Sequence, residues 1–196
     1  MRMELIVALG NPGKEYENTR HNVAWIIMNG IVKGACLPEP HTSSTFSGYV
    51  SVGNLHGREV RILFPTTFMN NSGSAVKKAI DCEPGATLIV VQDEVDLPFG
   101  TIRVTEGRGA GGHNGVKSII DAVGSKDFIR IRIGVAKKNI FGIVKRPKGD
   151  KLGDFVLAEF SKKEQEMLPE IGKKVMRAIE LMYTKDVKVA MNEINS

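Results

Sequence analysis

From Thr87 to Gln92 the chain reads Thr-Leu-Ile-Val-Val-Gln, an unbroken apolar run of strand formers that stops at the carboxylate of Asp93. A run of this kind reads as a central strand buried on both faces, the hallmark of an α/β fold with helices above and below its sheet. Other runs of strand length are Met3 to Leu9, Gly48 to Val52, Val60 to Phe64, Thr101 to Thr105 and Phe128 to Ala136. Helical patterns lie between several of them. Val23 to Lys33 ends at Gly34, Ser74 to Ile80 follows a Ser72 cap, and Val116 to Val123 closes at Gly124. The tail opens with a capping box, Ser161-Lys-Lys-Glu164, is expected to break at Pro169, and continues with Ile171, Val175, Ile179 and Met182 on one helical face. The alternation predicts an α/β sandwich. Because only Gly53 to Glu59 separates two of the strands, a hairpin is expected and the sheet should be mixed.

A chain of 196 residues, 42% apolar and 25% charged, suits one domain with one substantial core and excludes disordered, coiled-coil and fibrous classes. The first apolar run, Leu5 to Leu9, is too short for a signal segment or a membrane span. Cys36 and Cys82 form no paired motif, which fits a reducing compartment, and the expected location is the cytoplasm. The net charge is +5, and the segment Arg130 to Lys151 carries eight basic residues against Asp150 alone. Such a stripe suits a phosphate backbone, as does a pI of about 9.2. The part from Lys137 to Lys151, rich in Lys, Gly and Pro, reads as a mobile surface loop.

Of the four histidines, His41 and His56 sit in turn-like surroundings and read as solvated. His21 and His113 are each followed by Asn and lie in a polar loop just before a helix, from which both could project into one cleft. Asp93, at the end of the central run, is suited to accept an imidazole Nδ1–H and raise the basicity of the ring. Glu94 and Asp96 could instead bind a metal, although no histidine lies at ligand spacing. No nucleophile motif is present, so a His–Asp pair would act on water directly. Asn11, Asn70 and Asn114 occupy Gly- or Pro-marked loops, where a carboxamide can donate to a developing oxyanion. The run Gly107 to Gly112 matches the Gly-x-Gly-x-x-Gly dinucleotide pattern, but Asp127 precedes the next strand and cannot reach a ribose from its end.

Gly10-Asn-Pro-Gly13 with Tyr16 and Thr19-Arg-His-Asn22, then Pro65-Thr-Thr-Phe-Met-Asn70 with Ser72-Gly73, Asp93-Glu94 with Asp96-Leu-Pro98, Gly111-Gly-His-Asn-Gly115 and Arg130-Ile-Arg-Ile-Gly134 together resemble bacterial peptidyl-tRNA hydrolase, in order and in spacing. The resemblance extends over almost the whole chain. It implies a single α/β/α domain over residues 1–196 around a mixed, twisted sheet, a monomer that acts on peptidyl-tRNA and needs neither metal nor organic cofactor, and no membrane or DNA partner. His21 would be the general base on water, Asp93 its orienting acid, and Asn11 the group that distinguishes N-blocked from free aminoacyl substrates. Tyr16, Phe68, Met69, Asn70, His113 and Asn114 would bind substrate. Arg132, helped by Arg103 or Arg108, would hold a tRNA phosphate, since Thr105 stands where some family members carry a lysine. Ala24 stands where the family usually has Gly, and the stretch between Gly134 and Phe155 is longer and more basic than usual. A non-catalytic RNA-binding adaptor on the same fold, as in plant organellar splicing factors that resemble these hydrolases, is the competing class. A generic small-ester hydrolase is the third.

Overall fold

The computed structural model describes residues 3–137, 144, 146–147 and 149–196. Among these residues seven strands form one sheet: β1 (Glu4–Ala8), β2 (His41–Ser43), β3 (Gly48–Leu55), β4 (Arg58–Pro65), β5 (Thr87–Pro98), β6 (Ile102–Glu106) and β7 (Ile129–Ala136). Their order is β2-β3-β4-β1-β5-β7-β6. The inner four, β4, β1, β5 and β7, are parallel, and β2, β3 and β6 add antiparallel edges. The sheet is therefore mixed, as the short spacing before Val60 predicts. The hairpin itself is tighter than expected. Leu55 pairs with Arg58 across His56 and Gly57, and both turn residues take positive φ, 50° and 81°. A two-residue turn with two positive φ values matches the right-handed twist of its strands.

Among the described residues six α-helices cover the faces: α1 (Val23–Gly34), α2 (Ser72–Cys82), α3 (Asn114–Val123), α4 (Asp150–Leu157), α5 (Lys162–Thr184) and α6 (Val187–Asn195). Alternate residues of the strands enter two separate cores. Leu5, Val7, Leu88 and Val90 pack with Ala75, Val76, Val116 and Ile119 of α2 and α3. Ile6, Ala8, Ile89 and Val91 pack with α1 and with Ile171, Val175, Ile179 and Met182 of α5. The result is three layers, and the central run of β5 is buried on both faces as its composition demands.

Two expectations about helix ends are corrected. α2 begins at Ser72 itself, whose hydroxyl bonds back to Met69 O instead of capping a later start. α5 does not break at Pro169. Proline there removes one backbone donor, but Leu168 and Ile171 on either side are both buried in the core, and this packing holds the helix through it. α5 ends instead at Thr184, and Asp186 then caps α6 through Val189 N. Asn195 of α6 then exchanges two hydrogen bonds with the backbone of Val104, at 2.9 and 2.8 Å, and so covers part of the open edge of β6. The mobile-loop expectation for residues 137–151 falls mostly on positions 138–143, 145 and 148, outside the described residues. Its last residues, Asp150 and Lys151, begin α4.

Candidate active site

The polar loops that follow β1 and β4, the end of the regular part of β5 and the start of α3 meet beyond the carboxyl ends of the parallel strands, where α/β sheets open a crevice. A cleft of about 180 Å³ there is lined by His21, Asp93, Glu94, His113, Asn114, Arg146 and residues of α4. A larger apolar groove of about 600 Å³ lies between α1 and α5. It holds no histidine or carboxylate, so chemistry, not size, selects the smaller cleft.

Both imidazoles converge on one oxygen. His21 Nδ1 lies 2.8 Å and His113 Nε2 lies 2.9 Å from Oδ1 of Asp93, and the two ring centroids are 5.2 Å apart. The tautomer of His113 follows from its second contact. Its Nδ1 caps α3 by accepting from Gly115 N and Val116 N, so its ring hydrogen is on Nε2 and is donated to Asp93. Asp93, held ionised, can only accept, so His21 donates its Nδ1–H to it and leaves the Nε2 lone pair for the cleft. Gly115 is required beside this cap: a Cβ there would meet the Met69 sulfur at 2.5 Å.

Burial alone would push Asp93 up, but the two imidazoles outweigh it and hold the carboxyl well below the usual carboxylate range. Burial likewise pulls His21 down. The charge of Asp93 and its hydrogen bond prevail, so His21 titrates above the ordinary imidazole value. His21, Asp93 and His113 offer three ligand atoms within 4.8 Å of one another, a spacing a metal could use. The donor chemistry argues against it. Ligation through His113 Nε2 would move the ring hydrogen to Nδ1, facing two backbone N–H donors. Glu94 and Asp96, the other candidate ligands, are each paired with an arginine: Glu94 with Arg132 and Asp96 with Arg146.

Asn11 is held on three sides. Its backbone exchanges two hydrogen bonds of 2.9 Å with the Asn22 carboxamide, and its Oδ1 accepts Met69 N at 2.8 Å. Because Oδ1 is occupied, the NH₂ group is the free end. Met69 is buried and touches Asn11 through its backbone, while Asn70 on the same turn is exposed. Phe68 is 57% exposed and meets Tyr16 edge to face, at 6.4 Å between ring centroids.

The proposed phosphate contacts share one face of the sheet. Arg103 pairs directly across from Arg132, and Thr105 from Arg130, while Arg108 is exposed just beyond the end of β6. Arg132 is not free: its Nε and Nη2 both donate to Glu94 Oε2, at 2.9 and 2.8 Å. Arg130, on the same face, is buried with its Nε unpartnered. Burial, Arg132 and Arg108 lower its pKa against the opposing pull of Glu94. The signal for it was present, since the alternation Arg-Ile-Arg at 130–132 puts both guanidinium groups on one face.

The dinucleotide-like glycine run is disposed of by topology. β6 is antiparallel to β7, with Glu106 beside Ile129, so Gly107 leaves from the end of the sheet opposite the cleft. No parallel βαβ unit exists there to present a pyrophosphate.

A family model described as peptidyl-tRNA hydrolase matches residues 5–196. Curated peptidyl-tRNA hydrolases of Syntrophotalea carbinolica and Bacillus subtilis are 38% and 37% identical, each over 99% of this chain and over 97% and 99% of their own lengths. The crystal structure of peptidyl-tRNA hydrolase from Acinetobacter baumannii superposes with a TM-score of 0.83 at 32% identity, covering 99% of this chain and 95% of that one. With sequence, fold and site geometry in agreement, the chain belongs to the peptidyl-tRNA hydrolase family.

Proposed function

We propose that this chain hydrolyses the ester between peptide and tRNA in peptidyl-tRNA with His21 as general base and Asp93 as its orienting acid. The observation that carries the reading is the convergence of two ring N–H groups on one buried carboxylate oxygen, which leaves His21 Nε2 as the basic atom of the cleft. A water held at Nε2 gives up a proton to it as its oxygen adds to the ester carbonyl. The imidazolium formed in this step is stabilised by Asp93. Collapse of the tetrahedral oxyanion breaks the bond to the ribose oxygen, and that oxygen takes the proton back from Nε2. Asn114, an exposed carboxamide lining the cleft, and Asn70, exposed on the turn whose Met69 N bonds to Asn11, are suited to donate to the oxyanion. Tyr16 and Phe68 form the adjoining peptide contact; Met69, expected to share it, is buried in the core and supports the turn from within. The enzyme works as a single domain and a monomer in the cytoplasm; no helix among the described residues is long and apolar enough to cross a membrane.

The test is hydrolysis of an N-blocked aminoacyl-tRNA beside an unblocked one and a small ester. Rapid release from the first alone supports the reading; binding of tRNA with no release would favour the adaptor class.

Asn11→Ala separates discrimination from rate. The free NH₂ of Asn11 is suited to read the carbonyl of the first peptide bond, which an unblocked substrate lacks. Removing it should lower turnover of the blocked substrate and narrow its preference over the free form by about 10-fold or more, the worth of one to two hydrogen bonds. A variant that still rejects the free substrate as strongly as the parent excludes Asn11 from this role.

Arg132→Ala should raise KM for tRNA substrates and spare kcat on a minimal ester without the phosphate. A contact far from the ester stabilises ground and transition states alike. The salt slope of tRNA binding should fall by about 0.7 to 0.9. An unchanged slope would mean that Glu94 keeps Arg132 and that another cation meets the phosphate.

A further inference from the structure

We propose that Arg20 is a positioning residue for this hydrolysis, acting on His21 through its ion pair with Glu164; the proposal rests on His21 being the base. Arg20, His21 and Asn22 form one turn of 3₁₀ helix. With three residues per turn, successive side chains point about 120° apart. The three accordingly reach in three directions: His21 to Asp93, Asn22 to Asn11, and Arg20 to Glu164 at the start of α5. A turn this short has few bonds of its own to fix its orientation. The two outer side chains therefore decide where the middle one points.

The Arg20 arm is built for rigidity. Its side chain is 2% exposed, and its two terminal nitrogens donate to the two oxygens of Glu164 at 3.0 and 2.9 Å. A forked pair of this kind fixes angle as well as distance. The guanidinium also lies 5.1 and 4.9 Å from the ring centroids of Phe155 and Phe160, and Nη1 reaches Val135 O at 3.4 Å. Glu164 is itself locked, since its Oε2 accepts Ser161 N and Oγ in the capping box of α5. Against burial, the bonds from Arg20 and Ser161 hold its carboxyl down at about 2, so the pair is charged at any working pH. The backbone adds a second seam, with Arg20 N bonded to Ala158 O and Phe160 N to Asn18 O. Phe155 belongs to α4, whose Leu152, Gly153 and Val156 wall the cleft. One buried cation thus references both His21 and the cleft wall to β7 and α5. A buried ion pair is weak as a stabiliser compared with an apolar replacement, and its use here is geometry.

The test is kinetic. Glu164→Gln keeps the shape and the capping contacts but removes the charge that grips the fork. We expect kcat on blocked aminoacyl-tRNA to fall about 10- to 100-fold, the range for a small misplacement of a catalytic group. KM should stay within about twofold, because no phosphate or peptide contact is touched. The acid limb of the kcat/KM profile should move to lower pH as the His21–Asp93 bond loosens. Arg20→Lys, which keeps the charge but offers a single point of contact, should give the same signature if Glu164→Gln does not fold. Asp186→Ala is the control: it removes the cap of α6 at Val189 N and lowers Tm while leaving Arg20, Glu164 and Ser161 in place, and should leave kcat and the pH limb unchanged. Equal kinetics for Glu164→Gln and Asp186→Ala, or a full kcat loss in Glu164→Gln with an unmoved pH limb, overturns the proposal. If His21→Ala remains active, the underlying reading fails instead.

Discussion

Replacing His21 with alanine is expected to lower kcat on peptidyl-tRNA by about 10²- to 10⁴-fold, the usual worth of a positioned general base, with tRNA affinity nearly unchanged. The structure makes this a clean deletion. Asp93 keeps the N–H of His113 on the same oxygen, so the buried carboxylate is not orphaned when His21 is lost. Asn22 and Arg20 keep their own partners and hold the turn in place. The cationic face of β6 and β7 lies on other elements and is untouched. Measuring single-turnover release together with tRNA binding distinguishes the outcomes. If binding falls in step with activity, His21 is a substrate anchor and the base lies elsewhere.

Much of the fold was legible because its signals are local and physical. The run Thr87 to Gln92 has no polar face, which only a strand covered on both sides can bury, and β5 is that strand. Gly124 closes α3 where expected, in the left-handed conformation at φ 76°, while α1 runs through Gly34 to a cap at Ala35. What failed were boundaries set by partners distant in sequence. Pro169 carries a strong local stop, but the helix around it is held by burial of Leu168 and Ile171, which local propensity cannot express. The three-residue strand β2 exists only as a partner for β3, and its His41-Thr-Ser43 sequence has no strand pattern of its own.

The site divides in the same way. Asn beside His at 21–22 and 113–114 marked two loops, and the end of a buried run marked Asp93. No spacing in the sequence says that both rings share one oxygen, because that depends on how α1, β5 and α3 meet. The roles of Arg20 and Asn22 were hidden for a related reason. Their partners, Glu164 and Asn11, lie on other elements and become visible only when the chain is folded.

Asp93→Asn should lower kcat by about 10²- to 10³-fold, the loss seen when one preorganised electrostatic contact to a developing charge is removed. Both ring N–H groups point at Oδ1. If the amide oxygen takes that place, both hydrogen bonds and both tautomers survive and only the negative charge is lost. His21 would then lose the attraction that outweighs its burial, and its pKa would fall. The sign of the pH effect follows. The base must be neutral to accept a proton, so activity rises with pH through the His21 value, which in the parent lies above the ordinary imidazole value. In the variant the whole limb should move to lower pH, while the plateau drops because the imidazolium formed during attack has no counter-charge. Asp93 itself does not set this limb, since its carboxyl is held far below the range in which His21 titrates. A kcat/KM profile over the acid and neutral range decides the matter. A lowered plateau with the limb in its parental position would show that Asp93 acts by holding geometry alone, and a parental plateau would remove it from the catalytic pair.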